Sequence, residues 1–202
     1  MSGDAISNLW RMFLALNVPE DVREQIEKAQ LKLRAAFPRS VVRWTSPEQF
    51  HLTLKFLGGV ATNRVAELET ALTRAVSGIN AFHVSADGIG FFPNLRRARV
   101  IWAGVTSPRT ELTNLFHAVQ KGTAEFSKEE VEEQFVGHVT LGRVKILKRD
   151  DTAQLGCLAS DLTRGHFGKW IVEDVDIMRS ELSASGAVHT VHARIPLNPL
   201  AL

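Results

Sequence analysis

Short apolar runs alternate with amphipathic segments along most of the chain. The first run, residues 9–16 (LWRMFLAL), is typical of a buried strand. Residues 17–37 then repeat apolar side chains every three or four positions, and Pro19 precedes two acidic residues, so the pattern predicts an amphipathic helix that begins near this proline. The predicted apolar face consists of Val22, Ile26, Ala29 and Leu33.

The rest of the chain continues this alternation. Helical spacing predicts a second helix over 63–76, a third that begins with Ser107 as its N-cap, and a weaker one around 150–160. The remaining apolar runs predict strands at 41–44, 50–57, 81–92, 98–105, 135–144, 170–179 and 187–196. Since no long linker divides these elements, we expect a single α+β domain over residues 1–202, with two sheets and the helices outside them.

Composition and charge narrow the class of protein. Hydrophobic residues make up 45% and charged residues 23% of the 202 residues, as in ordinary soluble domains. The net charge of +2 tolerates phosphate-bearing partners but lacks the basic stripe of a dedicated nucleic-acid binder. One cysteine, Cys157, predicts a reducing compartment and a place in the core, and no apolar run is long enough for a membrane span. We expect a cytoplasmic monomer.

One short pattern occurs twice, as HLTLKFLG at 51–58 and as HVTLGRV at 138–144. Side chains alternate along a strand, which predicts that His51, Thr53 and Lys55 share one face while Leu52 and Leu54 share the other. His138 and Thr140 alternate with Val139 and Leu141 in the same way. If the two strands lie side by side, two imidazoles and two hydroxyls converge on one small space.

That set of groups suits acid–base chemistry on a phosphate ester. One imidazole can deprotonate an attacking water while the other protonates the departing oxygen, and threonine hydroxyls can donate to the phosphate oxygens. The pattern contains no zinc-type ligand cluster, so we predict no metal and no cofactor. A single His-x-Thr would more often be a packed core histidine. The repetition of the pattern favours function.

The other five histidines have no repeated context, and the sequence assigns none of them a catalytic role. His189 and His192 cannot share a strand face, because they are an odd number of residues apart. The remaining three are His83, His117 and His166.

The two His-x-Thr segments, with RMFLALNVPEDV at the start and FPNLRRARVIWAGV between them, resemble the two-histidine (2H) phosphoesterase superfamily. Within it, the chain is similar to the RNA 2′,3′-cyclic phosphodiesterases, also described as 2′-5′ RNA ligases. The resemblance implies a bilobal fold with pseudo-twofold symmetry about a central cleft. It also implies metal-independent hydrolysis of RNA 2′,3′-cyclic phosphate ends to 2′-phosphomonoesters, with weak reverse ligation of RNA halves as a side activity.

The resemblance also assigns roles to individual residues. His51 would donate a proton to the leaving oxygen, and His138 would accept one from water. Thr53 and Thr140 would hold the phosphate. Arg143 matches a family position linked to the substrate phosphate, although strict alternation places it opposite His138, so only a bulge or the strand end would turn it inward.

Two departures from the family pattern affect substrate recognition. Gly137 stands where a proline often precedes the second histidine, which predicts a looser start to that strand, and the chain contains no tyrosine. The candidates for stacking on a base are Trp44, Phe50, Phe91 and Phe92. The basic run at 96–99 is either an RNA backbone contact or a solvated turn.

Two alternatives to the RNA hydrolase stay open at this point. The same site could act on another small cyclic phosphate, such as ADP-ribose 1″,2″-cyclic phosphate, or on a 2′-5′ linkage. A non-catalytic RNA-end binder is the alternative from another class of protein. Two intact histidines argue against it, because phosphate binding alone favours arginine and lysine.

Overall fold

The structure is a computed structural model that describes residues 8–128, 134–146, 148–162, 165–183 and 186–200. In this part of the chain, nine strands and four α-helices build the fold. The strands are β1 (Leu9–Asn17), β2 (Val42–Trp44), β3 (His51–Ala61), β4 (Phe82–Phe92), β5 (Val100–Thr106), β6 (His138–Val144), β7 (His166–Val172), β8 (Asp174–Ser183) and β9 (Gly186–Pro196). The helices are α1 (Glu20–Ala36), α2 (Val65–Val76), α3 (Glu111–Gly122) and α4 (Arg149–Leu162).

All of the strands belong to one antiparallel sheet with a symmetric order. The order is β7-β4-β5-β6-β3-β1-β8-β9, and the short β2 pairs with β6 outside this path. The central strands β6 and β3 meet at a single residue pair, Leu52 opposite Val139. From the centre outward, β6, β5, β4 and β7 in one half therefore correspond to β3, β1, β8 and β9 in the other. This is the pseudo-twofold arrangement that the resemblance implies.

The helices cross between the two halves. Helix α1 follows β1 but packs on β7 and α4, whereas α3 follows β5 and packs on β3 and α2. Each of these helices therefore packs on one half of the sheet, while the strand that precedes it in the chain belongs to the other half. This exchange ties the halves together through helix–sheet contacts as well as through the short β3–β6 contact.

One face of the sheet packs against the helices and forms the core. Leu52, Leu54 and Val139 from the central strands are at most 2% exposed, and they join a continuous cluster with Leu72 and Leu115 from the helices. The residues between them point to the opposite face. The alternation read from the sequence therefore separates a core face from a face that is available for chemistry.

The α+β class with outer helices is confirmed, but the closing strands, the start of α3 and the burial of Cys157 differ from the prediction. Three strands close the chain instead of two, because β7 pairs with β4 while β8 pairs with β1, and only Glu173 lies between β7 and β8. Helix α3 begins at Glu111, and the hydroxyl of Ser107 accepts a hydrogen bond from the amide of Leu112. Cys157 is exposed rather than buried.

The predicted pair of sheets forms one continuous sheet whose halves touch at the single Leu52–Val139 pair. Within the described residues, no helix is long and apolar enough to cross a membrane.

Candidate active site

The two His-x-Thr segments lie next to each other at the centre of the sheet. With Leu52 opposite Val139, antiparallel geometry sets His51 across from Thr140 and Thr53 across from His138. The leucine and the valine are fully buried on the helix side, and all four polar residues are half-buried on the other face. The two strands therefore bring the two imidazoles and the two hydroxyls together on one face of the sheet, as the sequence predicted.

Both imidazoles are held in the same way. Nδ1 of His51 lies 2.7 Å from the carbonyl oxygen of Gln49, and Nδ1 of His138 lies 2.8 Å from that of Val136. Because a carbonyl only accepts, each neutral ring donates from Nδ1 and carries its basic lone pair on Nε2. The two sites thus share one tautomer, with Nε2 as the atom that takes up or gives a proton.

A β-bulge follows each threonine at an equivalent position. On β3, Thr53 pairs with Ala15 and Lys55 pairs with Leu14, so Leu54 is the extra residue. On β6, Thr140 pairs with Trp102 and Gly142 pairs with Ile101, which makes Leu141 the extra residue. A bulge reverses the alternation of the residues beyond it, so both strands change face immediately after the His-x-Thr segment.

A buried glutamine satisfies the carbonyl of each bulged leucine. Gln120 of α3 donates from Nε2 to the Leu54 carbonyl at 3.0 Å, and Gln30 of α1 donates to the Leu141 carbonyl at 2.8 Å. These glutamines are 2% and 0% exposed, and Gln30 also donates to the carbonyl of Thr45 at 2.7 Å. The crossed helices therefore stabilise the two bulges from the core side.

The bulge on β3 overturns the prediction for Lys55, which does not share the face of His51 and Thr53. It pairs with the fully buried Leu14, is itself only 5% exposed, and donates from Nζ to the carbonyl of Gln120 at 2.8 Å. Burial lowers the pKa of this ammonium. Lys55 is therefore a core hydrogen-bond donor to α3.

The bulge on β6 turns Arg143 toward the face of His138. Gly142 pairs with the fully buried Ile101 and so belongs to the core face, which leaves the next residue, Arg143, on the opposite face. The guanidinium is exposed. Of the two routes by which this arginine could reach the site, a bulge or the strand end, the structure has the bulge.

An aromatic ring and a second imidazole lie beside His51. Its ring centroid is 5.0 Å from that of Phe13 and 5.6 Å from that of His189, and Phe13 is only 3% exposed. Burial lowers the pKa of His51 to about 4 against the opposing effect of the Gln49 carbonyl, and the nearby His189 and His138 lower it further. In the free protein His51 is therefore neutral near pH 7.

Two aromatic rings flank His138. The centroid of its ring lies 4.9 Å from that of Phe92 and 6.2 Å from that of Trp102. The indole lies across Gly90, where a Cβ would come within 2.2 Å of the ring, so only glycine permits this placement. Phe92 and Trp102 therefore form an aromatic surface beside the His138 imidazole.

The other stacking candidates belong to the core side. Phe50 is 4% exposed, Phe91 and Trp44 pack against the core, and the Trp44 indole donates to the carbonyl of Phe37. The expectation of a looser strand start at Gly137 is also wrong. Its carbonyl accepts from Val105 at 2.8 Å, and a Cβ at this position would lie 2.4 Å from the Val105 carbonyl oxygen.

The sequence reading missed His189, Trp102 and the two glutamines. His189 lies beside His51, burial and the charge of Arg11 lower its pKa, and its Nδ1 is buried without a partner among the described residues. Strand alternation alone gave no signal for it. A buried polar residue on the apolar face of a predicted helix was the available signal for Gln30 and Gln120.

The described part of the site shows no grouping typical of a metal centre. Among the residues that the structure describes, no three His, Cys, Asp or Glu side chains are placed so that they could hold a metal ion together. The candidate site therefore consists of paired imidazoles, hydroxyls, aromatic rings and an arginine.

Comparison with known proteins agrees with this site. Residues 16–102 match the model of the family described as LigT-like phosphoesterases. The RNA 2′,3′-cyclic phosphodiesterase of Methanothermobacter thermautotrophicus is 34% identical over 183 residues, which cover 89% of this chain and 95% of that protein. The protein of the same description from Thermus thermophilus is 30% identical, with 93% of this chain and 90% of the relative covered.

A solved structure shows the same fold. The crystal structure of the protein TT0787 from Thermus thermophilus superposes with a TM-score of 0.75 at 28% identity, and the match covers 94% of this chain and 98% of that one. The sequence and structural similarities both extend over nearly the whole chain. The chain belongs to the LigT-like phosphoesterases of the 2H superfamily, together with the RNA 2′,3′-cyclic phosphodiesterases.

Proposed function

We propose that this protein hydrolyses RNA 2′,3′-cyclic phosphate ends to 2′-phosphomonoesters by paired-histidine acid–base catalysis. The observation that carries the proposal is the placement of two imidazoles with the same Nδ1–carbonyl anchor on adjacent strands, each next to the threonine of the other. The names of the curated relatives support the same substrate class.

The proposed reaction has one proton transfer on each side of phosphorus. His138 takes a proton from water as the water oxygen bonds to phosphorus. The bond from phosphorus to the ribose O3′ breaks, and His51 gives its proton to that oxygen, so the 2′-phosphate remains. The hydroxyls of Thr53 and Thr140 donate to the non-bridging oxygens, where negative charge develops.

The low pKa of His51 in the free protein bears on its proposed role as a proton donor. A donor must be protonated before it acts, and His51 with a pKa of about 4 is neutral near pH 7. A bound phosphodiester anion favours the imidazolium and raises this pKa. Substrate binding and protonation of His51 are therefore coupled in the proposed mechanism.

Arg143 is proposed to contact a backbone phosphate of the RNA on the same face as His138. Its exposed guanidinium has no ion-pair partner among the described residues, which leaves it available to an anion. We also propose a cytoplasmic monomer, with no metal or cofactor, as the working form of the protein.

Product analysis tests the proposed function. The protein is incubated in EDTA with an RNA oligonucleotide that ends in a 2′,3′-cyclic phosphate, and ³¹P NMR against authentic standards identifies the product. We expect a 2′-phosphomonoester and a free 3′-hydroxyl. A 3′-phosphate would refute the proposed direction of ring opening. An untouched RNA with turnover of ADP-ribose 1″,2″-cyclic phosphate would shift the substrate class, and binding without any turnover would favour the recognition-only alternative.

A further inference from the structure

A strongly cationic groove lies where β6 leaves the site. The groove, of about 520 Å³, is lined by the turn and short helix before β5 and by the end of β6. Its charged lining residues are Arg96, Arg97, Arg99, Arg143 and Lys145, and the described lining includes no aspartate or glutamate. This concentration of positive charge contrasts with the net charge of +2 for the whole chain.

The cations of the groove are not neutralised by described carboxylates. None of the five forms an ion pair within the described part of the chain, and Lys145 donates instead to the carbonyl of Arg39 at 2.9 Å. On the other half of the sheet, by contrast, Arg179 pairs with Glu181 and Arg194 pairs with Asp176. The five groove cations on the His138 side are therefore available to a polyanion.

Strand β6 connects this groove to the site. Arg143 follows His138 by five positions on the same strand, and the bulge at Leu141 places both on one face. At about 3.3 Å per residue the two positions are roughly 15 Å apart. A stacked nucleic-acid strand advances about 3.4 Å per nucleotide, so roughly four or five stacked nucleotides span that distance, and fewer do so in an extended strand.

We propose that this groove binds the phosphodiester backbone of the RNA upstream of its cyclic phosphate end. Arg143 contacts the phosphates nearest the site, and the other four cations contact those of nucleotides further upstream. The position of the RNA end rests on the proposed function, whereas the charge and the shape of the groove do not. The groove makes the protein selective for oligonucleotide ends over cyclic mononucleotides, which are too short to reach it.

The salt dependence of binding tests this proposal without requiring catalysis. The probe is a fluorescent RNA decamer that ends in a 2′-phosphate, and its dissociation constant is measured by anisotropy between about 50 and 200 mM salt. Each phosphate contact contributes about 0.7 to the slope of log affinity against log salt for a single strand. We expect the triple variant Arg96→Gln, Arg97→Gln, Arg99→Gln to lose about 2 from the slope, and Arg99→Gln alone to lose about 0.7.

The matched control makes the same charge change elsewhere on the surface. The control residues are exposed and lie outside the groove. They are Arg74 on α2, Arg109 just before α3 and Lys121 on α3. Replacing all three with glutamine should leave the slope of log affinity against log salt at its wild-type value. Thermal unfolding of all variants shows that each is folded. An unchanged slope in the groove variants, or equal wild-type affinity for uridine 2′-phosphate and the decamer, would overturn the proposal.

Turnover of uridine 2′,3′-cyclic phosphate separates this proposal from the proposed function. The mononucleotide does not reach the groove, so its hydrolysis reports on the histidine site alone. If the wild-type protein hydrolysed neither this mononucleotide nor a cyclic-phosphate RNA, the proposed function would be refuted, while the decamer slopes would still decide for or against the groove.

Discussion

Replacing His51 or His138 with alanine is expected to lower kcat by about 10²–10⁴-fold, the usual contribution of one positioned proton transfer. Each variant removes one of the two Nε2 atoms proposed for proton transfer but keeps the Thr53 and Thr140 hydroxyls. Both histidines are half-buried at the edge of the core, so the fold should persist. The measurement is kcat on a cyclic-phosphate RNA, with thermal unfolding and phosphate binding recorded for the same samples.

A histidine on the exposed face of α3 provides the control. His117→Ala should retain wild-type kcat, since this residue is exposed and its ring contacts that of the neighbouring Phe116. A phosphodiester with a 4-nitrophenolate leaving group needs no protonation of that group, so it should restore much of the rate of His51→Ala and little of the rate of His138→Ala. Parallel losses of stability and activity in both active-site variants would instead indicate that the histidines are packing residues.

Replacing Gln120 with leucine is expected to reduce both stability and turnover. The variant keeps most of the volume of the side chain but leaves the buried Leu54 carbonyl without its amide donor, which costs about 1–3 kcal/mol of unfolding free energy. Relaxation of the bulge displaces Thr53 and His51, and displacements near 1 Å cost up to about 10²-fold in rate. We therefore expect a lower kcat well below the unfolding temperature, with a smaller change in KM.

Two further variants serve as a comparison and a control for Gln120→Leu. Gln30→Leu should be the milder change at its bulge, because the amide of Thr45 still donates to the Leu141 carbonyl at 2.9 Å. Gln25→Leu, on the exposed side of α1, should alter neither stability nor kcat. A Gln120→Leu variant that is less stable but keeps full kcat well below its unfolding temperature would limit this glutamine to a structural role.

Much of the fold follows from the hydrophobic periodicity of the chain. The apolar faces of α1 and α2 and the alternation in β3 and β6 are strong, since each element packs one face on a single core. The boundary between β7 and β8 was not visible, because a single residue, Glu173, separates two strands that pair in different halves of the sheet. Strand pairing of this kind depends on contacts that are distant in sequence.

The candidate site was also only partly predictable from the sequence. The repeated His-x-Thr predicted which groups meet, because both strands bury their alternate apolar residues on one side. The faces of Lys55 and Arg143 could not be derived, since each lies beyond a bulge that regular alternation does not contain. His189 reaches His51 only because β9 lies beside β8 and β8 beside β1, an arrangement that long-range pairing decides.

The pH dependence of turnover tests the pairing of the two histidines most directly. The donor must be protonated and the acceptor neutral, so activity falls as pH rises through the pKa of the donor and falls again as pH drops through that of the acceptor. The pKa of His51 is about 4 in the free protein and bound phosphate raises it, so the kcat profile is centred at higher pH than the kcat/KM profile. We expect bell-shaped profiles for both parameters, with the kcat profile displaced to higher pH. Profiles that are flat between about pH 5 and 8 would contradict paired-histidine catalysis.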